Sequence, residues 1–145
     1  MSSVLIVGDE PRIREVLVRW LKPNGYDTRE AGDAEAALEM LREGAADVAF
    51  CDMQMPGKGG VWLVEQIRAN FPMTAIVLAT ADESVPPFVS LRGGVVDYLV
   101  KPFGRERVLD AVNRALDWHR AAVARGPEQT PDVDPLEKWI RPGTK

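Results

Sequence analysis

Val4-Leu5-Ile6-Val7-Gly8-Asp9 sets four aliphatic residues in a row just ahead of a carboxylate. The pattern recurs along the chain: Val48-Ala49-Phe50-Cys51 runs into Asp52, Ala75-Ile76-Val77-Leu78-Ala79 into Thr80, and Val96 to Val100 into Lys101. Such short, unbroken β-branched and aliphatic stretches read as strands buried on both faces of a parallel sheet. Ligands of open parallel sheets bind outside the carboxyl ends of the strands. Asp9, Asp52, Thr80 and Lys101 are therefore expected to converge on one edge. Two carboxylates suit a hard divalent cation, whereas a hydroxyl and an ammonium suit phosphoryl oxygens. The four together imply a phosphate-handling site.

Helix-period segments separate these runs. Ile13, Val16, Leu17, Trp20 and Leu21 share one stripe, opened by Pro11 and closed near Pro23-Asn24-Gly25. Tyr26 to Glu30 reads as a short edge strand. Asp33 is placed to cap a helix whose inner face is Ala34, Ala37, Leu38 and Leu41, ending at Gly44. Gly60 to Phe71 gives a third helix through Val64 and Ile67, stopped by Pro72. A short fourth is expected roughly over residues 85–92, with Pro86-Pro87 in its first turn. A long fifth carries Val108, Val112, Ala115, Leu116 and Ala122 on one stripe. Alternation of strand and helix predicts an α/β, doubly wound parallel sheet.

Composition agrees with one domain of ordinary size. The 145 residues are 46% hydrophobic and 28% charged, close to the globular average. A net charge of −4 gives no reason to expect nucleic acid or an anionic membrane as partner. Cys51 is the only cysteine, which excludes an internal disulfide and suits a reducing cytoplasm. No stretch approaches membrane-spanning length, and the start of the chain does not resemble a signal peptide. A cytoplasmic location is the expectation.

Val4 to Arg14, Asp52-Met53-Gln54-Met55-Pro56-Gly57-Lys58-Gly59-Gly60, Thr80-Ala81 and Asp97-Tyr98-Leu99-Val100-Lys101-Pro102-Phe103 stand in the order and spacing of a known signature set. Together they resemble the receiver domain of two-component response regulators, over about residues 4 to 122. The resemblance implies a flavodoxin-like, five-stranded sheet of order 2-1-3-4-5 within a receiver domain of residues 1–125. It implies a cytoplasmic phosphoacceptor and not an enzyme acting on an outside substrate. Asp52 would take the phosphoryl group, as a 4-aspartylphosphate, from a phosphohistidine on a sensor histidine kinase or histidine phosphotransfer protein. Mg²⁺ would be held by Asp9, Asp52 and the backbone carbonyl of Gln54. Lys101 would neutralise a phosphoryl oxygen, Thr80 would hydrogen-bond another, and Tyr98 would move inward behind Thr80 as an aromatic switch. Lys101-Pro102 resembles a peptide that is cis in this family. Weak homodimerisation on phosphorylation and action through an output domain or effector protein fit the same picture, without direct nucleic-acid or membrane binding.

Single residues also have blander readings. Tyr98 can simply pack, as strand aromatics do. Cys51 reads as a small buried apolar residue, and His119, the only histidine, as a solvated surface position. Other chemistries fit less well. Asp9-Glu10 after the first strand would repel a directly bound nucleotide phosphate, and Gly57-Lys58-Gly59-Gly60 lacks phosphate-loop spacing. Asp52-Met53-Gln54 is not the Asp-x-Asp of aspartate-nucleophile phosphohydrolases. Three departures from the receiver pattern matter, one of them Pro86-Pro87 at the start of the short fourth helix. Gly8 stands where an adjacent acid is usual, and the usual register does not place Glu10 on the metal. Gly59 stands where many relatives carry Asp. Gly8 supports the alternative of a receiver-like interaction module with impaired phosphorylation. Residues 126–145 hold four of the eleven prolines and read as a tail or linker without a recognisable output domain. Leu136, Trp139 and Ile140 fall on one side of a helical turn that could pack back, dock on a partner or begin an output module.

Overall fold

The computed structural model describes residues 2–81 and 93–126. The expected fourth helix over 85–92 and the tail turn around Trp139 lie outside them. In chain order come β1 (Ser3–Val7), α1 (Pro11–Leu21), a 3₁₀ turn (Lys22–Asn24), β2 (Asp27–Ala31), α2 (Ala34–Glu43), β3 (Val48–Asp52), α3 (Gly59–Asn70), β4 (Ala75–Thr80), β5 (Val95–Val100) and α4 (Arg105–Arg125). The label α4 thus belongs to the fifth helical segment read from the sequence. All strand pairs are parallel, in the order β2-β1-β3-β4-β5.

Strand alternation sorts the core into two layers. Val4, Ile6, Val48, Phe50 and Val77 face Leu17 and Leu21 of α1 and Val108, Val112 and Ala115 of α4. Leu5, Val7, Ala49, Cys51, Ile76 and Leu78 face the other way, onto Leu38 and Leu41 of α2 and Leu63 and Ile67 of α3. Helices on both sides explain why β1, β3 and β4 carry continuous apolar runs in place of polar–apolar alternation. Each fully buried Val, Leu, Ile or Phe among them stabilises the fold by about 1.5–3 kcal/mol. Phe50 meets Phe103 edge to face, with centroids 5.9 Å apart, and so ties the central strand to the turn after β5.

Local chemistry sets the boundaries. Asp33 accepts a hydrogen bond from the Ala36 amide at 2.7 Å, the expected cap of α2. Gly25 ends the 3₁₀ turn at φ +92°, where a side chain would strain the backbone. Gly59 opens α3 at φ +80°, a conformation that favours glycine. Gly44 caps α2 in an extended conformation, not the left-handed one common at helix ends.

Two expectations are corrected. β5 is not buried on both faces: it is the sheet edge, half-buried along most of its length, with Leu99 its only fully buried residue. His119 is not a solvated surface residue. Its Nδ1 lies 2.7 Å from the Met73 carbonyl oxygen and its Nε2 3.1 Å from Asp47 Oδ1. Asp47 Oδ2 in turn accepts from the Ser3 amide, so α4 is clamped to the amino-terminal ends of β1, β3 and β4. No helix among the described residues is long and apolar enough to cross a membrane.

Candidate functional site

Register builds the site. Val7 pairs with Cys51, Asp52 with Ala79, and Thr80 with Val100. Gly8, Asp52, Thr80 and Lys101 therefore follow one another across the carboxyl edge of β1, β3, β4 and β5. The Lys101 amide donates to the Thr80 carbonyl at 2.7 Å, carrying strand pairing one residue past β5. The Lys101-Pro102 peptide is cis, in line with the resemblance.

Asp52 is 6% exposed and lies at the centre. Its Oδ2 accepts from Lys101 Nζ at 2.8 Å, and its Oδ1 from the Gln54 amide at 3.0 Å. A buried carboxylate needs such partners, since charge without compensation is costly away from water. Asp9 and Glu10, both exposed, bring carboxylate oxygens so that one ligand atom each from Asp9, Glu10 and Asp52 lie within 4.8 Å of one another. Oxygen-only donors of this kind match a hard divalent cation. Thus the structure brings Asp9, Asp52 and Lys101 together as expected, and adds Glu10, which had been placed off the metal.

Thr80 is fully buried and reaches Asp52 through Gln54. The Gln54 side-chain Nε2 donates to Thr80 Oγ at 2.8 Å, and its Oε1 accepts from the Ala81 amide at 3.0 Å. The sequence reading used only the backbone of Gln54, so this side-chain bridge was missed. An amide two residues after an acid carries no pattern that foretells it. Tyr98 is not drawn to the carboxylates: it lies 38% exposed on β5. Neighbouring Asp97 is gripped by Arg107, with Nη1 to Oδ2 at 2.7 Å, and by Arg114. Burial alone would raise the Asp97 pKa, but the Arg107 hydrogen bond and charge, with Arg114 and the Tyr98 amide, hold it below the usual carboxylate range. Cys51 is fully buried as expected, and burial together with the Asp52 charge pushes its thiol up to about 12.

On the α1 side, Arg14 donates to the Gly8 carbonyl at 2.5 Å and pairs with Glu30 at 3.1 Å, fixing the turn that carries Asp9 and Glu10. Ile13, Val16, Trp20, Pro102 and Phe103 line an apolar groove of about 410 Å³ that runs up to Lys101.

Comparison with known proteins places this geometry. Residues 4–113 match the sequence model of the family described as "Response regulator receiver domain". Response regulator protein TrrA from Thermotoga maritima, crystallised in complex with Mg(2+)-BeF, is 32% identical, with a TM-score of 0.73 over 80% of this chain and 100% of that one. Chemotaxis response regulator CheY4 of Vibrio cholerae is 30% identical, with a TM-score of 0.73 over 80% of this chain and 99% of its own. NtrX from Brucella abortus, in complex with ADP, is 28% identical with a TM-score of 0.75, and this chain spans only 28% of its length. Phosphorylation on aspartate characterises the matched family. The chain belongs to the response regulator receiver domain family.

Proposed function

We propose that Asp52 accepts a phosphoryl group from a phosphohistidine on a sensor histidine kinase or histidine phosphotransfer protein, and that residues 1–125 form the receiver domain that does so. The observation that carries this reading is the nearly buried Asp52 carboxylate held 2.8 Å from Lys101 Nζ beside Asp9. An Asp52 oxygen attacks phosphorus, the phosphorus–nitrogen bond breaks, and the leaving imidazole nitrogen takes up a proton. Lys101 passes from the Asp52 oxygen to a phosphoryl oxygen, and Thr80 donates its hydroxyl to another. Asp9, Asp52 and the Gln54 backbone carbonyl suit Mg²⁺ by their donor chemistry, and when bound it supplies positive charge against the repulsion of two anions. The groove of Ile13, Val16, Trp20 and Phe103 borders Lys101 and offers an apolar landing surface for the donor protein.

Thr80 and Tyr98 then carry the switch, with Tyr98 leaving its exposed position as Thr80 engages phosphate. Output passes to an effector or output domain, with residues 126–145 as tail or linker. The chain turns over no outside substrate in this reading, apart from slow loss of its own phosphate. Incubation with acetyl phosphate and Mg²⁺ tests it. One phosphoryl mass, released by hydroxylamine and absent from Asp52→Ala, is the expected result. Label retained in Asp52→Ala would overturn the assignment, and an unlabelled but folded wild-type chain would favour the interaction module that Gly8 suggests.

A further inference from the structure

Gly8 leaves a gap in the pocket. A Cβ built there would lie 3.5 Å from Asp52 Cβ and 3.7 Å from Asp52 Oδ2, so an acid at this position would point its charge at the same cation site. This chain has no such group. Two residues on, Glu10 supplies the backbone cap of α1, yet its side chain makes no capping hydrogen bond. That side chain turns instead toward the pocket, its Oε1 3.8 Å from Lys101 Nζ.

We infer that Glu10 supplies the third carboxylate of the cation pocket, standing in for the acid that Gly8 lacks. The inference deepens the phosphoacceptor reading and rests on it.

Reach supports the role. Oxygens that share one Mg²⁺ would lie about 3–4 Å apart, given metal–oxygen distances near 2.1 Å. One oxygen from each of the three acids lies within 4.8 Å of the other two. Glu10 is the side chain best able to close the remainder. It is 61% exposed, so its rotamers are unconstrained by packing, and its extra methylene extends it beyond an aspartate. Lys101 prefers Asp52, at 2.8 Å against 3.8 Å, which leaves Glu10 the looser partner of the ammonium.

Charge points the same way. Asp9, Glu10 and Asp52 against Lys101 give the pocket a net charge of −2 that a divalent cation neutralises; without Glu10 the balance is −1. TrrA, a relative at 32% identity, was crystallised with Mg(2+)-BeF, so a cation and a phosphate mimic bind on this fold. Glu10 thus keeps the charge of a three-acid pocket from two residues further along the chain, and is a binding residue for the cation in place of a mere helix cap.

Mn²⁺, counted as free ion by electron paramagnetic resonance, is the probe, used with the full chain. Glu10→Gln keeps size and exposure and is expected to weaken Mn²⁺ binding about five-fold, the order set by removing one unit charge near a divalent ion at the pocket's edge. Gly8→Asp restores the usual acid, and in that background Glu10→Gln is expected to cost less than two-fold. Equal Mn²⁺ affinity in Glu10→Gln and wild type, or the same loss in both backgrounds, would overturn the inference. Asp9→Asn separates the two levels. If it weakens binding while Glu10→Gln does not, only the role of Glu10 fails. If neither Asp9→Asn nor Asp52→Asn changes binding, the cation site itself fails. Thermal unfolding of each variant in chelator verifies that the fold is retained.

Discussion

Lys101→Met isolates the ion pair at the centre of the site. At 2.8 Å and an effective dielectric near 20, the Lys101–Asp52 attraction is worth about 6 kcal/mol before desolvation. Lys101 is 19% exposed and regains water when separated, so much of that figure is offset. The loss is asymmetric. Removing the ammonium leaves Asp52 buried beside Asp9 and Glu10, with the Gln54 N–H as its donor, and is expected to cost about 2–3 kcal/mol. Removing the carboxylate in Asp52→Asn leaves Lys101 near Glu10 and relieves repulsion among three acids, so less than about 1 kcal/mol is lost. For a domain of this size the Tm of Lys101→Met should fall by roughly 6–9 °C in chelator, and Mg²⁺ should recover part of it. In the Asp52→Asn/Lys101→Met double variant, stability should return close to that of Asp52→Asn. Urea unfolding of the four proteins in chelator measures this directly. A double variant as unstable as Lys101→Met would show that an unpaired Asp52 charge is not the cause.

Other residues give sharper local tests. Gln54→Ala removes the bonds to Thr80 Oγ and the Ala81 amide, so exchange at the Ala81 N–H should rise about ten-fold, the loss of one hydrogen bond of about 1.4 kcal/mol; unchanged protection would refute the bridge. Native Cys51, with its thiol pushed up to about 12, should resist iodoacetamide at neutral pH and react once urea unfolds the chain. Because the folded Asp97 pKa is depressed, its stabilising contribution is full at neutral pH, above the unfolded value, and is lost as pH falls through the folded one. Arg107→Ala should therefore raise the Asp97 pKa, followed by carboxyl NMR, and move acid unfolding to higher pH; an unmoved titration would show that Arg107 does not set it.

Strand identity was legible in the sequence wherever burial is two-sided. Val4 to Val7, Val48 to Cys51 and Ala75 to Ala79 are unbroken apolar runs because helices cover both faces, and such runs need no context to be recognised. The helical stripes through Leu17 and Leu21, and through Leu38 and Leu41, and the Asp33 cap followed from local periodicity and short-range hydrogen bonding in the same way. The site's centre was equally visible, since Asp52 ends β3 and Lys101 follows β5 at the same sheet edge, with β4 between them. Tertiary structure decided what depends on neighbours distant in sequence. β5 turned out half-exposed because an edge strand has a partner on one side only, a fact absent from its own residues. His119 became a clamp because Met73 and Asp47 meet it from the far ends of β4 and β3. Glu10 joined the acidic cluster because the turn held by Arg14 swings it toward Lys101, and Gln54 found Thr80 only once β3 and β4 were aligned. Periodicity records which face of an element is buried; it does not record the long-range directions in which polar side chains find one another.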